Sequence, residues 1–130
     1  MIQNDNNSRP ADSPTGSSDE NVLCAASAYE MKFYINPTFA SLPPQIKEEL
    51  RVVCVTFTAE NGGIFTMEFD EDGKLLLNTT AKENDFFYDE IGAQLRIKQL
   101  IDTKSELFAS LEAYYRIFIL GDTSWEMDNA

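Results

Sequence analysis

The sequence predicts an α+β domain: a three-stranded antiparallel meander over about residues 52–80, packed against N-terminal helices and a long or bent C-terminal helix. Three observations carry this expectation. β-branched and alternating apolar runs between 52 and 79 are punctuated by Asn61-Gly62-Gly63 and Asp70-Glu71-Asp72-Gly73. Apolar residues at helical spacing run from Ile97 to Phe118. Polar segments at 1–20 and 121–130 flank a single domain at 21–120, within a chain of 130 residues.

Residues 1–20 are dominated by Asn, Ser, Asp, Pro and Gly. Such a segment buries too little to offset its ordering entropy, so a disordered tail is expected. Residues 22–36 read as a helix on their Ala25, Ala26 and Ala28, with Cys24, Ala28, Met31 and Ile35 on one face. The alternative is a fourth strand at 28–35, where Tyr29, Met31, Phe33 and Ile35 alternate with Glu30 and Lys32. Pro43-Pro44 opens a short helix through about Leu50, because a proline in the first turn lacks only an unpaired N–H. Phe39 and Leu42 plug the loop before it.

Val52 to Ala59 reads as a central strand, apolar on both faces at its start. Asn61-Gly62-Gly63 reads as a tight hairpin, Ile64–Phe69 as the second strand, and Lys74–Thr79 as the third, after a turn at 70–73. Ile97, Ile101, Phe108, Leu111, Tyr115 and Phe118 then place a long helix, bent or broken near Thr103-Lys104-Ser105-Glu106, which fits a capping box. Gly121 is expected to stop it, and the residues that follow to form a flexible acidic tail around Trp125.

Charge bounds the partners. There are 22 acidic residues, 10 basic ones and no His, a net of −12. Asp5, Asp12, Asp19 and Glu20 against Arg9 place −3 in the first tail, and Asp122, Glu126 and Asp128 place −3 in the second. The domain itself carries the remaining −6. Without a basic run, nucleic acid and anionic membrane surfaces are excluded as expected partners. Cys24 and Cys54, each among apolar neighbours, read as two reduced, buried thiols. Met1-Ile2-Gln3-Asn4-Asp5 resembles no export signal, and no run approaches the ~20 apolar residues of a membrane span. The expected location is cytoplasmic.

Chemistry-bearing residues are scarce. Lacking His, the chain has no conventional triad, and no phosphate-cradling motif stands beside it. No catalytic residue and no cofactor is expected. Two acidic clusters could hold a divalent cation if they met in space. Glu68, Asp70, Glu71 and Asp72 surround the second turn; Glu83, Asp85, Asp89 and Glu90 precede the long helix. Turn chemistry and helix capping, with Asp85 or Asp89 as the N-cap, account for the same residues without a metal. Phe86, Phe87 and Tyr88 form an aromatic triplet that cannot all face one core, and Tyr114-Tyr115 raises the same question. These five are the candidate partner-binding residues, since interfaces favour aromatics.

Ala28-Tyr29-Glu30, Lys32-Phe33-Tyr34 and Leu42-Pro43 resemble the opening of a family of small acidic proteins from Gram-positive gut bacteria. Gly62-Gly63-Ile64-Phe65-Thr66, Phe69-Asp70-Glu71-Asp72-Gly73 and Tyr88-Asp89-Glu90-Ile91-Gly92 resemble its later motifs, over about 21–120. That family is a domain of unknown function, so the resemblance implies a cytoplasmic protein and brings no catalytic residue. The leading expectation is a non-catalytic protein-interaction or self-associating module. The alternatives are a carboxylate-based, divalent-cation-dependent hydrolase and an acidic decoy for a basic protein surface.

Overall fold

The computed structural model describes residues 21–121; the tail expectations at 1–20 and 122–130, Trp125 included, lie outside the described residues. The elements run β1 (Val22–Ser27), β2 (Lys32–Ile35), a 3-10 turn (Pro37–Phe39), α1 (Pro44–Asn61), β3 (Ile64–Phe69), β4 (Leu75–Thr80), α2 (Glu90–Thr103) and α3 (Ser105–Phe118). The α+β class holds. The sheet has four antiparallel strands in the order β2-β1-β3-β4, so two hairpins join through β1 and β3.

Three element assignments are corrected. Residues 22–36 form a hairpin; the alternative strand at 28–35 is realised only over Lys32–Ile35 as β2, with Tyr29 and Met31 in the turn before it. Cys24 and Ala26 are small enough to let a helix approach the middle of the sheet, so tertiary packing overrides alanine's helical preference. The helix opened by Pro44 does not end near Leu50 but continues to Asn61, and Val52 to Ala59 is therefore helical. Its buried residues, Leu50, Val53, Cys54, Phe57, Thr58 and Asn61, recur at 3–4 spacing and define one stripe. Val52 and Val55, which made the segment look apolar on two faces, point to solvent. Asn61-Gly62-Gly63 is consequently a helix-to-strand junction. Gly62 and Gly63 have φ of 79° and 74°, and a Cβ on Gly63 would lie 2.5 Å from the Thr80 carbonyl oxygen.

The remaining expectations hold more closely. Asp70–Gly73 is the β3–β4 turn, where Asp70 Oδ1 accepts from the backbone N–H groups of Asp72 and Lys74, both at 2.9 Å. The C-terminal helical stretch breaks at Lys104, though no capping box forms: Lys104 itself is the N-cap, without a side-chain bond. Its ammonium instead reaches Glu49 of α1 at 3.0 Å. The last helix stops at Phe118, three residues before Gly121.

Period-two alternation puts Phe65, Met67 and Phe69 on one face of β3, and the helices cover that face. Phe57 of α1 stacks on Phe65 at 4.2 Å, and Tyr115 of α3 stacks on Phe69 at 4.2 Å. Phe39 and Leu42 are buried as the expected plug, Phe39 lying 5.7 Å from Phe69. Asn36 ties the plug back to β1 by donating to the Val22 carbonyl at 2.8 Å. The α2 helix adds Ala93, Ile97 and Leu100 to the core. Among the described residues no helix is long and apolar enough to cross a membrane.

This assignment predicts a contrast between neighbours on α1 and β3. Phe65→Ala should cost about 3–5 kcal/mol in urea unfolding. Val52→Ala, on the solvent side of a helix, should change stability by less than about 0.5 kcal/mol. A large loss at Val52 would restore the strand.

Candidate functional site

The segment between β4 and α2, residues 81–89, carries the aromatic triplet and the second acidic cluster. It is held at several points. Asp85 accepts from the Tyr29 hydroxyl at 2.6 Å through Oδ2 and from the backbone N–H of Phe87 at 2.9 Å through Oδ1. The same Tyr29 oxygen accepts from the backbone N–H of Lys82 at 2.9 Å, and the Lys82 ammonium lies 4.7 Å from the Tyr29 ring centre. Tyr29 belongs to the β1–β2 turn, so a residue 56 positions earlier positions this loop.

The far end is equally constrained. Tyr88 shares a hydrogen bond with Thr79 at 3.0 Å and packs against Gly63. Asp89 is the N-cap of α2: its side chain accepts from Gly92 at 2.9 Å, and its own N–H donates to Asn61 at the end of α1, 3.3 Å away. Of the two N-cap candidates Asp89 takes the role, while Asp85 organises the loop. A polar cleft of about 440 Å³ opens beside it, lined by Thr79, Lys82, Asn84, Asp85 and Tyr88 among others.

Electrostatics follow the hydrogen bonds. The Tyr29 hydroxyl, with the Phe87 and Tyr88 backbone N–H groups, holds the Asp85 carboxyl below its ordinary value of 3.8. Tyr29 is pushed above the ordinary phenol value, first by partial burial and then by donating to the Asp85 carboxylate. Both Asp85 oxygens are thus engaged in positioning the chain.

The five aromatic candidates divide sharply. Phe86 and Phe87 are 88% and 96% exposed. Tyr88 is half-buried and anchors the loop; Tyr114 is half-buried, bonded to Ser41 and tilted against Phe118 at 4.9 Å. Tyr115 is buried, stacks on Phe69 and donates to Asn21 at 3.1 Å, so it belongs to the core rather than to a contact surface. Ile91 and Leu95, in the first and second turns of α2, are also mostly exposed.

The acidic candidates are not brought together. Glu68 is buried on β3, and Asp70 and Asp72 lie in the β3–β4 turn at the start of β4. Asp85 and Asp89 lie beyond its end, about 20 Å away for a strand of this length. Among the described residues no three Asp, Glu, Cys or His side chains converge to hold a metal. Sequence reasoning missed the anchors Tyr29, Asn61, Gly63 and Thr79. No local signal marks Tyr29, since its partner is distant in the chain; the paired glycines marked a special backbone without saying what approached it.

The molecule is thus a two-layer α+β domain that displays an anchored, aromatic-tipped loop at one end of its sheet. Residues 20–123 match the Family of unknown function (DUF6145), and the chain belongs to that family. No curated protein and no solved structure matches it.

Tyr29→Phe should raise the Asp85 titration midpoint toward the ordinary value, read by NMR of the carboxyl carbon. Because the folded pKa of Asp85 is depressed, the stability it contributes is present above the unfolded value and lost as pH falls through the folded one. The stability difference between wild type and Tyr29→Phe should therefore persist at neutral pH and shrink below about pH 4.

Proposed function

We propose that this domain is a non-catalytic protein-interaction or self-associating module of the cytoplasm, and that Phe86 and Phe87 are the centre of its contact surface. The observation that carries the reading is the exposure of two adjacent Phe side chains on a loop pinned at both ends. A Phe side chain offers roughly 150–250 Å² of surface, and leaving two in water forgoes several kcal/mol of burial. A partner with an apolar pocket recovers that energy. Pinning through Asp85, Tyr88 and Asp89 lowers the ordering cost of binding, which is where preorganised surfaces gain affinity. The exposed Ile91 and Leu95 on the helix that follows offer further apolar surface, and Glu83 and Glu90, near the pair in sequence, favour a basic or neutral partner surface. The two free cysteines accord with a reducing compartment.

The test uses Phe86→Ser/Phe87→Ser in the full chain. Its melting temperature should match wild type within a few degrees, because neither ring packs in the core. Self-association by analytical ultracentrifugation, or capture of a partner by immobilised protein, should weaken by more than about tenfold. Unchanged association in the double variant would remove the loop from the interface.

A further inference from the structure

Cys24 on β1 and Cys54 on α1 are both free and fully buried, and their sulfurs stand 3.6 Å apart. The proposed contact surface makes no use of them. We propose that Cys24 and Cys54 form a covalent modification site, a dithiol that hydroperoxides convert to an intramolecular disulfide joining β1 to α1. The inference stands independently of the interaction role.

Geometry is the first argument. A disulfide holds its sulfurs at about 2.05 Å, so the pair must close by roughly 1.5 Å. Side-chain rotation, with a small shift of α1 toward β1, would close that distance, since the two elements already pack against each other. Packing by itself asks only for two small apolar groups at this contact. Two thiols in contact also supply both reactants of the bond.

The chemistry balances with a hydroperoxide as the oxidant. One thiolate attacks a peroxide oxygen; the O–O bond breaks, a sulfenic acid forms, and the alkoxide or hydroxide leaves and takes up a proton. The neighbouring thiol then attacks the sulfenic sulfur. The S–S bond forms, and the hydroxyl leaves as water with the thiol's proton. Two thiols are oxidised, and one hydroperoxide is reduced to an alcohol and water, or to two waters for hydrogen peroxide.

Burial sets the order of rates. Contact with Cys54 and the apolar surroundings hold Cys24 well above the ordinary thiol range, so its thiolate is scarce while the core is closed. The first step waits on local opening; the second is fast because the partner is already in place. The product is a disulfide rather than a sulfinic acid, since the neighbour captures the sulfenic acid before further oxidant arrives. The bond would close a loop between residues 30 positions apart in the chain. Its expected effect is a rise of about 10 °C in melting temperature.

The experiment exposes the full chain to hydrogen peroxide, blocks remaining thiols by alkylation, and reads intact mass and peptide maps. The expected result is loss of two hydrogens, a reductant-sensitive link between the Cys24 and Cys54 peptides, and the higher melting temperature. Urea just below the unfolding transition should speed the reaction at least about tenfold without changing the product. Cys24→Ala and Cys54→Ala should each lack the two-hydrogen loss and instead accumulate oxygen adducts on the remaining sulfur. Two alkylated thiols after oxidation in sub-transition urea would overturn the proposal. So would sulfinic or sulfonic adducts in wild type without the cross-link.

Discussion

The seating of α1 against the middle of the sheet is the contact on which the rest of the structure depends. Cys54 and Phe57, one turn apart on α1, meet Cys24 on β1 and Phe65 on β3, the two central strands. Those strands belong to different hairpins, and α1 is the connection between them. A helix placed there must cross both, so the two hairpins become one sheet with β1 and β3 adjacent. Small groups at Cys24 and Ala26 make the close approach feasible. The Phe57–Phe65 stack adds the large apolar area, worth roughly 0.5–1.5 kcal/mol beyond its burial.

The direction of α1 then determines what its end can hold. Its last turn delivers Asn61, Gly62 and Gly63 beside the segment that follows β4. There the Asn61 carbonyl accepts from Asp89, and the bare Gly63 leaves room for the Tyr88 ring and the Thr80 carbonyl. From the other side, the β1–β2 turn contributes Tyr29. The loop is therefore gripped by the end of α1 and by the turn that follows β1, the strand α1 meets at the Cys24–Cys54 contact. Both oxygens of Asp85, and Oδ1 of Asp89, accept from groups of the chain itself and so position the loop.

The aromatic residues show how the core and the surface divide the same raw material. Phe39, Phe57, Phe65 and Phe69 are fully buried, and Tyr115 completes the stack at the α3 end. Phe86 and Phe87 have the same chemistry and none of that shelter. A fold able to bury four phenylalanines so completely does not expose two adjacent ones for want of apolar space; the loop anchors hold them outward. Contrast in treatment, more than exposure alone, is what supports the proposed contact surface at Phe86 and Phe87.

Much of this was legible in the sequence. Ile64–Phe69 and the strand after Asp70-Glu71-Asp72-Gly73 are marked by alternation and by a turn whose first Asp bonds its own backbone. The break near Thr103-Lys104, the plug at Phe39 and Leu42, and the buried thiols also rest on local patterns. The proline that starts α1 was plain, but its length was not, because Val52 and Val55 imitate a strand by lying on the solvent side of a helix. Whether Ala25 and Ala26 would be helical or extended depended on what packed against them, and small residues accept either. The candidate site was half visible. Phe86, Phe87 and Asp89 announced themselves by type and place, whereas Tyr29 had no mark until the fold set it beside Asp85. By itself the sequence determined an acidic α+β domain, its second hairpin and its aromatic stock, since those depend on neighbours along the chain. Only the tertiary structure decided the first hairpin, the reach of α1, and which aromatics faced water, since each depends on contacts between residues far apart in the chain.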